Sequence, residues 1–184
     1  MDIDVPDWVD AMTRSAGILA SDDEKMGLLI RLAVENVDRG TGGPFAAAIF
    51  EIDSHRLVAA GVNSVTRLQS CVLHAEVVAI VRAQQQLGSF TLRAAGLPPY
   101  ELVTSCDPCA MCLGATLYSG VRRVVAGAAR EDAMAVGFDE GPVFPESHAY
   151  LAERGIAIVR GVRRTEVARV LETYRARGGS IYTG

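Results

Sequence analysis

Lysine is almost missing from this sequence: of 18 basic residues only Lys25 is a lysine, and the arginines are scattered rather than gathered into a patch. With 22 acidic residues and a formal net charge of -4, the chain has no general attraction for phosphate backbones or acidic membranes, which argues against nucleic acid as a partner. No segment approaches the roughly 18 apolar residues of a membrane span, and the opening Met1-Asp2-Ile3-Asp4-Val5 lacks the basic stretch and apolar run of a signal peptide. A cytoplasmic protein with no membrane partner is expected. Internal repeats, low-complexity tracts and linkers are missing too, so the 184 residues, 49% of them hydrophobic, are expected to form one domain over 1–184. Cysteine is sparse and uneven: Cys106, Cys109 and Cys112 cluster while Cys71 stands alone, which speaks for metal binding rather than a disulfide scaffold.

Ser21 with Glu24 is a capping-box signature, and Met26, Ile30, Ala33 and Val37 follow at helical spacing until Gly40. Phe45 to Phe50 and Leu57 to Gly61 read as two antiparallel strands joined by the turn Glu51 to His55. His74 to Leu87 is helical, with Val77, Ile80, Val81 and Gln84 on the helical period and Gly88 as its stop. Glu101 to Ser105 is a short strand, and Cys109 to Tyr118 is a helix opened by Pro108. Val121 to Ala126 and Ile156 to Arg160 are strands, and Glu131 to Val136 is a short helix. Thr165 to Arg177 is a helix with Val167, Val170, Leu171 and Tyr174 on one face. Strands alternating with helices imply a layered α/β domain.

Cys109 and Cys112 are three apart, so a helix starting there puts both sulfurs on one face, able to close on one ion at about 2.3 Å each. The unpaired N–H groups of a first turn favour the thiolate that zinc needs. His74 supplies a third ligand from another helix start, and Glu76, two positions on, diverges from it and is free for a different task. One histidine and two thiolates leave a tetrahedral position open for water, as in catalytic rather than structural zinc sites. Cys106 is read as the end of its strand, not a fourth ligand. Zn2+ lowers the pKa of its water toward about 7, and Glu76 can take that proton and pass it to a ring nitrogen before the amine leaves as ammonia. His74-Ala75-Glu76 followed by Pro108-Cys109-Ala110-Met111-Cys112 is the H-x-E and P-C-x-x-C signature of zinc deaminases.

On these motifs, together with Gly42-Gly43-Pro44-Phe45, Gly61-Val62-Asn63, Thr104-Ser105-Cys106-Asp107 and Gly137-Phe138-Asp139-Glu140, the sequence resembles the cytidine and nucleobase deaminase superfamily, and within it the bacterial guanine deaminases. The resemblance implies a three-layer α/β/α cytidine-deaminase-like fold with a mixed sheet of about five strands, and a homodimer. It makes Glu140 a second catalytic carboxylate beside Glu76, and puts Asn63, Phe45, Ala75 and Tyr118 around the bound base. Residues 178–184 become a segment that closes over the site, with Tyr182 as the lid residue. Tyr118 stands where many relatives have tryptophan, Val72-Leu73 is bulkier than usual, and Arg67 to Cys71 departs from the common pattern. His55 and His148 fall outside the motifs and are read as surface residues.

Guanine, converted to xanthine, is the first substrate expected. Isoguanine, cytosine, 5-azacytosine and the s-triazine ammeline present the same amino carbon beside a ring nitrogen, so only pocket shape separates them. Editing of adenosine in tRNA shares the motif but is disfavoured by the acidic balance. A catalytically silent zinc scaffold is disfavoured by the intact Glu76.

Overall fold

The computed structural model describes residues 3–182. Among these residues no helix is long and apolar enough to cross a membrane. After α1 (Asp7–Arg14), helix α2 (Asp22–Asp38) starts at the capping box read from the sequence: the Glu24 N–H donates to Ser21 Oγ at 3.2 Å while the Ser21 N–H donates to the Glu24 carboxylate at 2.9 Å. The hairpin β1 (Ala46–Glu51) and β2 (Leu57–Val62) follows, then the one-turn α3 (Val65–Leu68) and α4 (Ala75–Leu87). Next come β3 (Tyr100–Cys106), α5 (Ala110–Ser119), β4 (Arg123–Ala128), α6 (Arg130–Ala135), α7 (Pro145–Glu153), β5 (Ala157–Val159) and α8 (Arg164–Ala176).

The five strands form one mixed sheet in the order β2-β1-β3-β4-β5, antiparallel around β1 and parallel from β3 to β5. Strand β1 is a continuous apolar run because both of its faces are covered. Its alternate residues divide between two cores: Ala46, Ala48 and Phe50 pack with Met26, Leu29 and Leu32 of α2 and with Val167 and Leu171 of α8. Ala47 and Ile49 pack on the other side with Ala75, Ala79 and Ala83 of α4. Each fully buried leucine contributes ~1.5–3 kcal/mol. The alanines on α4 and Gly61 on β2 let that helix sit close to the sheet, since a Cβ at Gly61 would lie 2.5 Å from the Ala75 carbonyl oxygen. The result is the expected three-layer α/β/α fold.

Two details of the sequence reading change. His74 and Cys109 are not inside their helices but are the N-cap residues of α4 and α5, with extended backbones. Helices α1, α3 and α7 have no counterpart in the sequence reading: α3 is a single turn, α7 buries only Leu151, and α1, although Trp8, Val9 and Met12 share a face toward the core, spans only eight residues, too short a window for its period to stand out. Residues 183–184 of the expected lid lie outside the described residues.

Candidate metal and active centre

The C-terminal end of β3 lies between the N-termini of α4 and α5, the place where open α/β sheets bind ligands. His74 caps α4 and Cys109 caps α5, so each side chain stands at a helix start, and Cys112 sits one turn into α5. The ligand atoms of these three residues all lie within 4.8 Å of one another. His74 Nδ1 is 3.6 Å from both Cys109 Sγ and Cys112 Sγ. That separation is the edge of a tetrahedron: ligands at about 2.05 and 2.3 Å from one ion are about 3.6 Å apart. The donor set therefore fits a zinc-sized ion in number, chemistry and spacing.

Without an ion the cluster retains a proton. The Cys109 thiol is pushed down to about 4, chiefly by the hydrogen bond from Cys112, with burial opposing and His74 assisting. Cys112 is pushed up, because it gives that hydrogen bond and is itself buried. Burial would depress His74, but the bond to Cys109 and the Glu76 charge leave it raised. Binding of a divalent cation to this set must release protons.

Beside the cluster is a narrow cavity of about 30 Å³ that Glu76, Glu140, Asn63, Phe45, Phe138 and Tyr182 help to line. Both carboxylates are buried, each 7% exposed. Glu76, on the first turn of α4, accepts a hydrogen bond from Thr104 Oγ1 at 3.2 Å. Burial, reinforced by the negative Cys109, raises it above the ordinary carboxylate range. Glu140 reaches the cavity from the loop after α6, which is tied to the start of α5 by the Ala110 N–H donating to the Glu140 carbonyl at 3.0 Å. Burial, then the charges of Cys109 and Glu76, push Glu140 up to about 8. Two carboxyl groups so held can keep a proton between them at neutral pH.

Asn63 lines the cavity from the end of β2, its Oδ1 accepting from the Val65 N–H at 3.3 Å. Its backbone is fixed from below by Asn36 of α2, whose Nδ2 donates to the carbonyls of Asn63 at 2.9 Å and Gly43 at 2.8 Å. Phe138 meets both Phe45 and Tyr182 edge-on, with centroids 4.9 and 5.2 Å apart. Tyr182 comes from the same chain, and its buried hydroxyl lies beside Asn63 without a well-formed hydrogen bond. It rests against Gly43, where an added Cβ would stand 1.9 Å from that oxygen.

Two residues expected at the substrate do not line the cavity with their side chains. Tyr118 is 82% exposed near the end of α5 and does not line the cavity, because α5 is turned so that Cys112, Leu113 and Thr116 face inward. The Ala75 side chain is fully buried in the α4 core rather than in the cavity wall. Cys106 ends β3, buried and outside the three-residue metal group, with its thiol directed to the Ala129 carbonyl. Cys71 is exposed and lines a vestibule of about 320 Å³ outside the cavity. His55 and His148 are half-buried, with His55 Nδ1 3.4 Å from Lys25 Nζ. The sequence reading missed Phe138, Thr104 and Asn36 as members of the site. For Thr104 a signal existed: strand alternation puts it on the same face as Leu102, toward α4.

Residues 20–128 match the family described as the cytidine and deoxycytidylate deaminase zinc-binding region. The guanine deaminase of Bacillus subtilis is 38% identical over 127 residues, 69% of this chain and 77% of that protein. A solved structure of guanine deaminase from Nitrosomonas europaea superposes with a TM-score of 0.91 at 40% identity, covering 96% of each chain. A structure in complex with 2,6-diaminopurine gives 0.92 at 41% identity, covering 98% of this chain and 95% of the other. With the His/Cys/Cys cluster and the three-layer fold, these likenesses show that the chain belongs to the cytidine and deoxycytidylate deaminase zinc-binding family.

Proposed function

We propose that this protein is a guanine deaminase that uses water to replace the exocyclic amino group of the base, releasing xanthine and ammonia. The observation that carries the reading is the meeting of two buried carboxyl groups, Glu76 and Glu140, with His74, Cys109 and Cys112 at one cavity. Guanine deaminases among the relatives, and related structures that hold 8-azaguanine and 2,6-diaminopurine, support the substrate.

His74, Cys109 and Cys112 would hold zinc, whose chemistry when bound is to bring the pKa of water toward about 7. Glu76 takes the proton of the attacking water and delivers it to the ring nitrogen beside the amino carbon. Glu140, a second carboxyl group buried at the same cavity, supports the second proton transfer, to the departing amine. Asn63 offers the base a donor and an acceptor on one amide, and the rings of Phe45 and Phe138 give it flat apolar walls. Tyr182 closes the cavity and excludes water. The same reading carries a homodimer, a cytoplasmic location and a role in purine breakdown; sedimentation of the purified protein tests the first.

The deciding experiment follows ammonia release from guanine, isoguanine, cytosine, 5-azacytosine and ammeline, with an adenosine-bearing tRNA in parallel. Turnover of guanine well above the others is expected. Turnover of a triazine or pyrimidine without guanine would overturn the substrate, and product from tRNA alone would overturn the substrate class. Glu76→Gln should abolish turnover with zinc still bound. Wild-type protein with zinc and no activity on any base would instead make the chain a silent scaffold.

A further inference from the structure

We infer that Thr104 is a positioning residue for Glu76, fixing the carboxyl group that handles the proton. The inference rests on the proposed role of Glu76 but not on which heterocycle is the substrate. Thr104 is buried on β3, between Val103, which faces α2 and α8, and Ser105, whose Oγ accepts from the Ala46 N–H. Strand alternation turns its own side chain toward α4, as it does Leu102. Its register neighbours are small, Ala47 on β1 and Ala126 on β4, so nothing bulky beside it separates the hydroxyl from the first turn of α4. Thr104 Oγ1 donates to Glu76 Oε1 at 3.2 Å.

Among the described residues the other side-chain partner of Glu76 is Cys112, a member of the metal-holding cluster, and the Glu76 backbone N–H also donates to its own carboxylate, so Thr104 is the side-chain donor that an ion does not claim. A β-branched side chain in a strand has restricted χ1, and its hydroxyl is therefore held in place before substrate arrives. A carboxyl group that loses this bond keeps its charge and burial but gains freedom to rotate out of line with the water it must deprotonate. Such a loss weakens turnover more than binding, since the misaligned group acts only in the transition state.

Thr104→Val removes the hydroxyl at nearly constant volume, and Thr104→Ser keeps it. On whichever heterocycle the wild type deaminates, Thr104→Val should lower kcat roughly ten- to a hundredfold with KM within about twofold, at unchanged zinc content. Thr104→Ser should stay within a few-fold of wild type. Wild-type kcat in Thr104→Val would overturn the inference, as would an equal loss in both variants or a loss that tracks zinc content. If Thr104→Val does not fold, Thr104→Ala against Thr104→Ser makes the same comparison, with the same split between kcat and KM deciding. A wild type that deaminates guanine while Thr104→Val matches it sinks this inference alone, whereas a wild type inactive on every base sinks the proposed function with it.

Discussion

Glu140 shows how a residue's setting, rather than its type, assigns its task. Burial and the nearby charges of Cys109 and Glu76 lift it to about 8, against an ordinary carboxylate value near 4.5. In the metal-free protein its contribution to stability is therefore fully present below about pH 4.5 and is lost as pH rises toward 8, because only the unfolded chain ionises freely. Glu140→Gln should flatten part of that decline, with Glu76, shifted the same way, responsible for the remainder. Thermal unfolding of metal-free wild type and variant across this range measures it; parallel pH profiles would mean that Glu140 ionises normally in the fold. In the loaded enzyme the same substitution removes one of two proton-handling groups and should lower kcat by about 10²–10⁴-fold. A loss smaller than tenfold would assign Glu140 to the cavity wall only.

Among the structural elements, the tail depends on a loop far from it in sequence. Tyr182 can lie in the cavity because residue 43 has no side chain: a Cβ there would stand 1.9 Å from the hydroxyl oxygen and 2.9 Å from the ring carbon that bears it. Gly43→Ala should therefore lift the tail, raise KM several-fold and expose residues near Arg177 to trypsin, while the core and its melting temperature stay close to wild type. A variant with wild-type KM and the same proteolytic pattern would show that the tail yields without consequence. How much of this was readable in the sequence varies with the kind of signal. His74, Glu76, Cys109 and Cys112 were legible because metal chemistry dictates residue type and spacing within single helix starts. Glu140, Asn63 and Tyr182 were legible only by resemblance, since nothing local ties a glutamate at 140 to a histidine at 74. The exposed setting of Tyr118 was not legible, because an aromatic residue near a helix end carries no mark of which face it occupies. Asn36 was invisible: an asparagine inside a helix reads as a solvated polar residue until the loop it clamps is folded onto it.

The whole molecule separates the origin of its stability from the location of its chemistry. The chain's one lysine is buried at 2% exposure and donates to Glu101, 1% exposed, at 2.6 Å. Arg123 joins Glu101 to Asp22, so α2, β3 and β4 are tied together by one charged cluster. Glu101 lies near the start of β3 and Cys106 at its end, a distance of about 16 Å along the strand. Damage to the cluster should therefore lower stability without reaching the cavity. The two halves of the Lys25–Glu101 pair are not equivalent. Glu101→Leu leaves a buried ammonium with no carboxylate and should cost about 3–5 kcal/mol. Lys25→Met leaves Glu101 its bond to Arg123, which is partly open to solvent, and should cost distinctly less. Urea denaturation of both variants gives the order, and kcat per folded molecule should match wild type in each. Equal costs would mean that Arg123 does not compensate Glu101, and a changed kcat in either would mean that the far end of β3 is mechanically coupled to Thr104 and the Glu76 it contacts.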